Sequence, residues 1–284
     1  MPPRLHTPHA LHPWQELSDR IDTTLQHVFN AAVAEHSPSG RLALLAVGGY
    51  GRRELAPFSD LDVLLVHESK RIEPAFAQAL WYPLWDGGHK VGHAVRTPRD
   101  TVAMVRSDLD TATAIVTARV IAGDHEFGES VIAKAHRVLR RRSRDWVRQL
   151  HTSVLERHRQ SGEVAYLLEP DLKNGLGGLR DIHAMWWASA VGFHLSERDH
   201  EQLLECNEML LRVRVALHTT TGRPGDVLHL QDQQAVAREA GFDGDDQLMA
   251  TIAQVGRRVM WITDEAWARL DPPRAARRPI AIAP

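Results

Sequence analysis

The sequence has a single cysteine, no long apolar run and no signal-like start. Because Cys206 stands alone among 284 residues, an internal disulfide bond and a zinc site built from several thiolates are excluded. No run of about eighteen apolar residues occurs, so no membrane-spanning helix is predicted. The first residues contain no basic stretch followed by an apolar core. We therefore expect no signal peptide and a location in the cytoplasm.

The chain also lacks a strong excess of charge of either sign. The 36 acidic and 34 basic residues give a formal net charge of -2. Broad nucleic-acid binding usually requires a basic excess, so we expect no nucleic-acid partner. The local exception is an arginine cluster formed by Arg137, Arg140, Arg141, Arg142, Arg144 and Arg148. Its favoured interpretation is a solvated helix face, and the alternative is a site for phosphate or for an acidic partner surface.

Hydrophobic periodicity predicts a small sheet in the first part of the chain. Apolar residues recur at helical spacing over residues 14–33, which favours a helix. Short apolar runs at 42–47, 61–67 and 91–96 predict strands, and a helix is predicted over 73–86. This order of elements indicates a mixed sheet covered by helices.

The remainder of the chain has a helical pattern. Helices are predicted over 108–122, 126–160, 181–192, 199–219, 231–240 and 245–270. The fold class is therefore α+β, with a sheet-containing domain at 13–105 and an all-helical domain at 106–270. The tail, 271–284, is rich in proline and arginine and is expected to be disordered.

Two aspartates at the start of the second strand are the strongest chemical signal. Asp60 and Asp62 are separated by one residue, and strand alternation places both side chains on one face. Two neighbouring carboxylates are costly to hold together unless a cation neutralises them. Such a pair can share divalent cations, typically Mg²⁺, that align an attacking and a leaving oxygen. We therefore assign Asp60 and Asp62 as catalytic residues and as metal ligands.

A glycine pair ten residues earlier strengthens this assignment. Gly48 and Gly49 have no Cβ, so their backbone can approach a triphosphate and donate N–H groups to it. Ser59 is placed to bind a phosphate oxygen just before the first aspartate. This combination is typical of the nucleotidyltransferase superfamily related to DNA polymerase β. The predicted fold of the first domain is therefore polymerase-β-like.

A second glycine-rich segment precedes one of the predicted helices. Residues 168–181, LEPDLKNGLGGLRD, contain Lys173 and Arg180 and open onto a helix. Positive side chains and helix N-terminal amides can hold an anion there. By itself such a segment is more often only a turn.

Six segments of the chain together resemble one family, the bacterial PII uridylyltransferase/uridylyl-removing enzymes. In chain order they are 48–55 (GGYGRREL), 59–62 (SDLD), 91–97 (VGHAVRT), 110–113 (DTAT), 168–181 (LEPDLKNGLGGLRD) and 222–228 (GRPGDVL). The resemblance extends from about residue 15 to 270.

The resemblance implies transfer of UMP from UTP to a tyrosine of the PII nitrogen-signalling protein, with release of pyrophosphate. In actinobacterial relatives the donor can be ATP, which gives adenylylation. It also implies a helical domain that closes over the nucleotide. On this basis we assign the nucleotide site to Gly48, Gly49, Arg52, Ser59, Lys173, Arg180 and Asp181.

The sequence departs from the family pattern in two ways. Full-length members continue into an HD hydrolase domain and two ACT domains, whereas this chain has no His-Asp dipeptide. We therefore expect neither uridylyl-removing activity nor a glutamine sensor. Polymerase-β-type enzymes often carry a third carboxylate on a later strand, but strand 91–96 has none, and Asp100, Asp108 and Asp110 are unranked candidates. Two alternatives stay open: transfer to a different acceptor, and a nucleotide sensor without turnover.

Three further features are interpreted structurally. Trp186 and Trp187 are expected to pack between helices, and Cys206 is expected to lie in the core. Tyr50 either lies near the nucleotide or wedges the glycine loop.

Overall fold

The computed structural model describes residues 11–69 and 71–270. The predicted tail at 271–284 lies outside these residues. The strands are β1 (Leu42–Ala46), β2 (Leu61–His67), β3 (Val91–Arg96) and β4 (Arg119–Gly123). The helices are α1 (Pro13–His36), α2 (Gly48–Gly51), α3 (Pro74–Asp86), α4 (Pro98–Ser107), α5 (Leu109–Val116), α6 (His125–Arg141), α7 (Ser143–Gln160), α8 (Leu179–Ala190), α9 (Glu197–Thr221), α10 (Gln233–Glu239) and α11 (Asp245–Trp267).

The four strands form one mixed sheet in the order β3-β2-β1-β4. Strand β1 is antiparallel to both β2 and β4, and β2 is parallel to β3. The two central strands are almost entirely buried. The predicted α+β class, with a small mixed sheet followed by helices, is confirmed.

Alternating side chains of β1 enter two different cores. Leu44 and Ala46 pack with residues of α1 and α3, including Leu25 and Phe76. Leu45 faces the opposite way and joins the core that continues through the helical part of the chain. Because successive side chains of a strand point to opposite faces, the sheet is covered on both sides and connects the two halves.

The helix predicted over 108–122 is wrong at its C-terminal end, which forms strand β4. Helix α5 ends at Val116, and Arg119–Gly123 instead pairs with β1. The apolar run Val120–Ala122 is too short for periodicity to separate a strand from a helix. Pairing also supplies hydrogen-bond partners for the edge of β1 that β2 leaves free.

The sheet therefore includes residues after 105, where the first domain was predicted to end. The position of the domain boundary stays a prediction. The single helix predicted over 126–160 is likewise two helices, because the chain breaks at Arg142 between α6 and α7.

The helical part packs around one continuous core. Cys206 is fully buried there, and Trp187 is buried with Trp186 packed against the same core, as predicted. Within the described residues, the structure has no helix of the length and apolarity needed to cross a membrane.

Candidate active site

A cleft of about 640 Å³ lies where the sheet meets the helical part of the chain. One side is formed by α2, the following loop and the first residues of β2. The other side is formed by the glycine-rich segment 168–181, α8, α9 and the loop after α9. Predicted site residues lining the cleft are Gly48, Gly49, Arg52, Ser59, Asp60, Asp62, Lys173 and Arg180.

The two aspartates face the cleft together. Leu61 and Val63 are buried, whereas Asp60 and Asp62 are exposed, as strand alternation predicts. Partial desolvation and then the charge of Asp60 raise the pKa of the Asp62 carboxyl. Mutual repulsion of this kind favours the binding of a cation between the carboxylates.

Lys90 contacts this pair and was not identified from the sequence. Its Nζ lies 2.9 Å from Oδ2 of Asp60. The residue directly precedes β3, the parallel neighbour of β2, and its carbonyl accepts a hydrogen bond of 2.8 Å from the N–H of Leu61. Only strand pairing brings the two side chains together, so the local sequence contains no signal for this contact.

The backbone at Gly48 favours glycine. Its φ is +59°, a left-handed conformation that other residues rarely adopt. A Cβ at this position would lie 3.4 Å from Oδ2 of Asp62. The N–H of Val47 donates to the carbonyl of Asp62 at 3.0 Å, which holds the glycine turn beside the aspartate. The glycine pair thus leaves open space beside the carboxylates.

Arg52 is held by a buried polar network. Its Nε donates to Oε2 of Glu54 at 2.6 Å, and its guanidinium lies 5.8 Å from the ring centre of Trp187. Glu54 also accepts a hydrogen bond of 3.0 Å from Nδ2 of Asn207, and Nε2 of His183 lies 3.0 Å from its Oε2. The network therefore joins the loop after α2 to α8 and α9.

The pKa values in this network have identifiable causes. Burial raises the pKa of the Glu54 carboxyl and the neighbouring His183 and Arg52 lower it, and the net shift is downward. Burial and the charge of Arg52 lower the pKa of His183 to about 4. The Glu54 carboxyl is therefore ionised at neutral pH and pairs with Arg52.

The helical side of the cleft contains further cations. Lys173 Nζ lies 3.4 Å from Oδ2 of Asp226, and Arg214 Nε lies 2.6 Å from Oδ1 of the same carboxylate. Arg214 also donates to Oγ of Ser59 at 3.4 Å, which connects the two sides of the cleft. The guanidinium of Arg180 is exposed and forms no ion pair within 11–69 and 71–270.

The position of Asp181 corrects its assignment to the nucleotide site. Its side chain is 1% exposed and does not line the cleft. It accepts a hydrogen bond of 2.7 Å from the N–H of Gly177 and contacts the side chains of Arg157 and His158. Asp181 therefore fixes the glycine-rich segment to α7 and contributes to the site only through that segment.

The three candidates for a third carboxylate occupy different positions, and one of them lines the cleft. Asp110 lines the cleft, whereas Asp108 caps α5 and Asp100 bonds to Thr97 at the start of α4. Among the described residues, no group of three or more His, Cys, Asp or Glu side chains is arranged to hold a metal ion. Asp60 and Asp62 thus remain a pair.

Tyr50 belongs to the cleft wall, and its side chain is held by packing. It is 1% exposed, and its hydroxyl donates to Oδ1 of Asp22 at 2.6 Å. Arg119 binds the same carboxylate with both terminal nitrogens, at 2.6 and 2.8 Å. The aromatic ring therefore wedges the glycine turn against α1 and β4.

The arginine cluster lies outside the cleft, at the end of α6 and the start of α7. Five of its six members are exposed, and Arg148 is half-buried. Arg140 donates through Nε to the carbonyl of Ala190 at 3.2 Å. This exposure agrees with the favoured interpretation of a solvated helix face.

Comparison with known proteins links this cleft to one family. The family model of GlnD PII-uridylyltransferase matches residues 145–197 and 190–267. The chain is related to the PII uridylyltransferases. The resemblance inferred from the sequence motifs is thereby confirmed.

Individual relatives match a larger share of the chain than the family model does. The bifunctional uridylyltransferase/uridylyl-removing enzyme of Streptomyces coelicolor is 38% identical over 253 residues, covering 88% of this chain and 30% of the relative. The proteins of that name from Erythrobacter litoralis and Mycobacterium tuberculosis are each 36% identical, covering 78% and 76% of this chain and 26% and 28% of their own lengths. The chain thus spans less than a third of these curated relatives.

Proposed function

We propose that this chain is a nucleotidyltransferase that transfers a nucleoside monophosphate from a nucleoside triphosphate to a tyrosine of a PII signalling protein. The observation that carries the proposal is the position of Asp60 and Asp62 across the cleft from Lys173 and Arg180. Carboxylates that hold a divalent cation and side chains that hold phosphates are the two requirements of phosphoryl transfer. The description of the matching family model supports a PII acceptor, and the names of the relatives favour UTP as the donor.

Each side of the cleft has a separate task. The exposed Arg180 and the amine of Lys173 would bind phosphate oxygens, and Gly48 and Gly49 would allow the backbone to approach them. Glu54 would keep the Arg52 guanidinium directed along the cleft wall beside Gly49. The buried network around Glu54 would hold the helical side at a constant distance from the carboxylates.

The carboxylate pair fits a divalent cation because both groups are exposed, lie on one strand face and repel each other. Bound Mg²⁺ would stabilise the negative charge that develops on pyrophosphate. In the reaction the tyrosine oxygen forms a bond to the α-phosphorus, and the bond from that phosphorus to the bridging oxygen of pyrophosphate breaks. The hydroxyl proton leaves to water. Asp60 and Asp62 would hold the metal ion and would donate no proton.

The test is pyrophosphate release from UTP and from ATP, measured separately with Mg²⁺ and purified PII protein. We expect release with one nucleotide, dependent on PII, and its loss in the double variant Asp60→Asn with Asp62→Asn. The variant Asp86→Asn, at the exposed end of α3, is the matched control and should retain full activity. Full activity in the double variant would refute the assignment of the carboxylates.

Two other outcomes would favour the alternatives. Pyrophosphate release without PII, together with labelling of a different protein in a cell extract, would indicate another acceptor. Nucleotide binding without release under any of these conditions would indicate a sensor. The intact carboxylate pair counts against the sensor, because binding alone does not require two adjacent carboxylates.

A further inference from the structure

Strand β3 and the residue before it place a lysine and a glycine beside the carboxylate pair. Strands β2 and β3 are parallel, with Asp62 opposite Gly92, so the residue before β3 lies beside Asp60. That residue is Lys90, whose ammonium lies 2.9 Å from the Asp60 carboxylate. Its side chain is 80% exposed, so it reaches the carboxylate from the open end of the cleft.

At Gly92, the next position on this face, a side chain would displace the carboxylate of Asp62. A Cβ built there would lie 2.5 Å from Oδ1 of Asp62, closer than real Cβ contacts allow. The two positions of the β3 side that adjoin the carboxylates are thus Lys90 and Gly92, and the glycine leaves room for the Asp62 carboxylate. The β3 side therefore supplies no third carboxylate at these two positions, and one of them carries a positive charge.

We propose that the ammonium group of Lys90 stays paired with the two carboxylates and takes the place of a second metal ion at Asp60. The pair then binds one divalent cation. This inference rests on the metal assignment of the proposed function. The positive charge of Lys90 is present at the carboxylate pair before a nucleotide binds.

Charge balance supports a single ion. Two carboxylates carry two negative charges, and one divalent cation with the Lys90 ammonium already exceeds them by one positive charge. A second divalent ion would raise the excess to three without any further anionic group on β3. In water, a unit charge about 4 Å from a divalent cation weakens its binding by roughly tenfold or more.

The test is a titration of the full 284-residue chain with Mn²⁺ in the absence of nucleotide. Electron paramagnetic resonance measures how much Mn²⁺ is bound. The variants are Lys90→Met, which keeps the length of the side chain without its charge, and Lys90→Glu, which adds a third carboxylate. Lys134→Met, at an exposed position of α6 that does not line the cleft, is the matched control. The double variant Asp60→Asn with Asp62→Asn identifies binding at the pair.

We expect one Mn²⁺ per wild-type chain, about tenfold tighter binding in Lys90→Met and still tighter binding in Lys90→Glu. The control should match the wild type, and the double aspartate variant should lose the site. Two ions in the wild type, or unchanged affinity in Lys90→Met, would overturn the role of Lys90. Absence of binding in every variant would overturn the metal site and this role together.

Failure of this inference is distinguishable from failure of the proposed function. If pyrophosphate release requires Asp60 and Asp62 but Lys90→Met binds Mn²⁺ like the wild type, only the role of Lys90 is wrong. If Lys90→Met tightens Mn²⁺ binding but no nucleotide is consumed, the role of Lys90 stands and the proposed transfer reaction is wrong.

Discussion

Asn207 of α9 donates a hydrogen bond of 3.0 Å to Oε1 of Glu54, in the loop after α2. The two residues are 153 positions apart, and both are buried. Glu54 at the same time receives the Nε–H of Arg52, which lines the cleft. A single carboxylate therefore connects the packing of the helical part to the position of a predicted nucleotide-binding arginine.

Removal of Glu54 is expected to destabilise the fold and to weaken nucleotide binding. The variant Glu54→Ala leaves the guanidinium of Arg52 and the amide of Asn207 without their partner in a buried site. Loss of one partner of a buried charge pair costs about 3 kcal/mol of unfolding free energy. Urea denaturation measures this cost, and the KM for the nucleotide reports the displacement of Arg52.

An exposed ion pair provides the control for Glu54. Glu68→Ala removes the bidentate partner of Arg41 at the protein surface, where solvent screens the interaction. Its unfolding midpoint should remain close to that of the wild type. Equal effects of Glu54→Ala and Glu68→Ala would contradict the role assigned to the buried network.

The stability of the fold should decrease as the pH falls from about 6.5 to about 4. The buried His183 has its pKa lowered to about 4, so the unfolded chain binds a proton in this range that the folded chain does not. The contribution of His183 to this decrease is at most about 3 kcal/mol. Unfolding free energies measured across this range should show a smaller slope in His183→Gln than in the wild type.

The same measurement on a surface histidine completes this test. His27 is exposed on α1, and His27→Gln controls for the loss of an imidazole ring from the chain. An identical pH slope in the wild type and His183→Gln would show that the buried imidazole does not remain neutral in the folded protein.

Arg180→Ala is expected to impair nucleotide binding without affecting the fold. Its guanidinium is exposed in the cleft and forms no ion pair with the described residues, so its removal leaves no buried charge unpaired. Loss of one charge-assisted contact to phosphate should raise the KM for the nucleotide by about tenfold or more. Initial rates at varied nucleotide concentration, with the unfolding midpoint as a second readout, measure this change.

Arg137→Ala, in the exposed arginine cluster, is the matched control for Arg180. It removes the same charge from a helix outside the cleft and should leave KM unchanged. An equal rise in KM for both variants would mean that general electrostatic attraction, rather than a contact by Arg180, brings the nucleotide to the protein.

The sequence by itself determined the parts of the site that depend on local geometry. Asp60 and Asp62 share a face because the period of a strand is two residues, whatever the strand packs against. The absence of a Cβ at Gly48 and Gly49 is likewise a local property of the sequence, whereas the positive φ of Gly48 was visible only in the structure. The shared strand face and the absent Cβ each depend only on residues next to them in the chain, so the local sequence was sufficient to predict them.

Only the tertiary structure decided the contacts between distant segments. Lys90 reaches Asp60 because β3 pairs with β2 in one register. Glu54 reaches Asn207 because α9 packs against the loop after α2. Asp181, predicted to contact the nucleotide, is buried and instead supports the glycine-rich segment. The end of a predicted helix forms β4 because it pairs with the free edge of β1. Strand register, burial and edge pairing depend on the whole chain, since each is chosen by competition among segments that are far apart in the sequence.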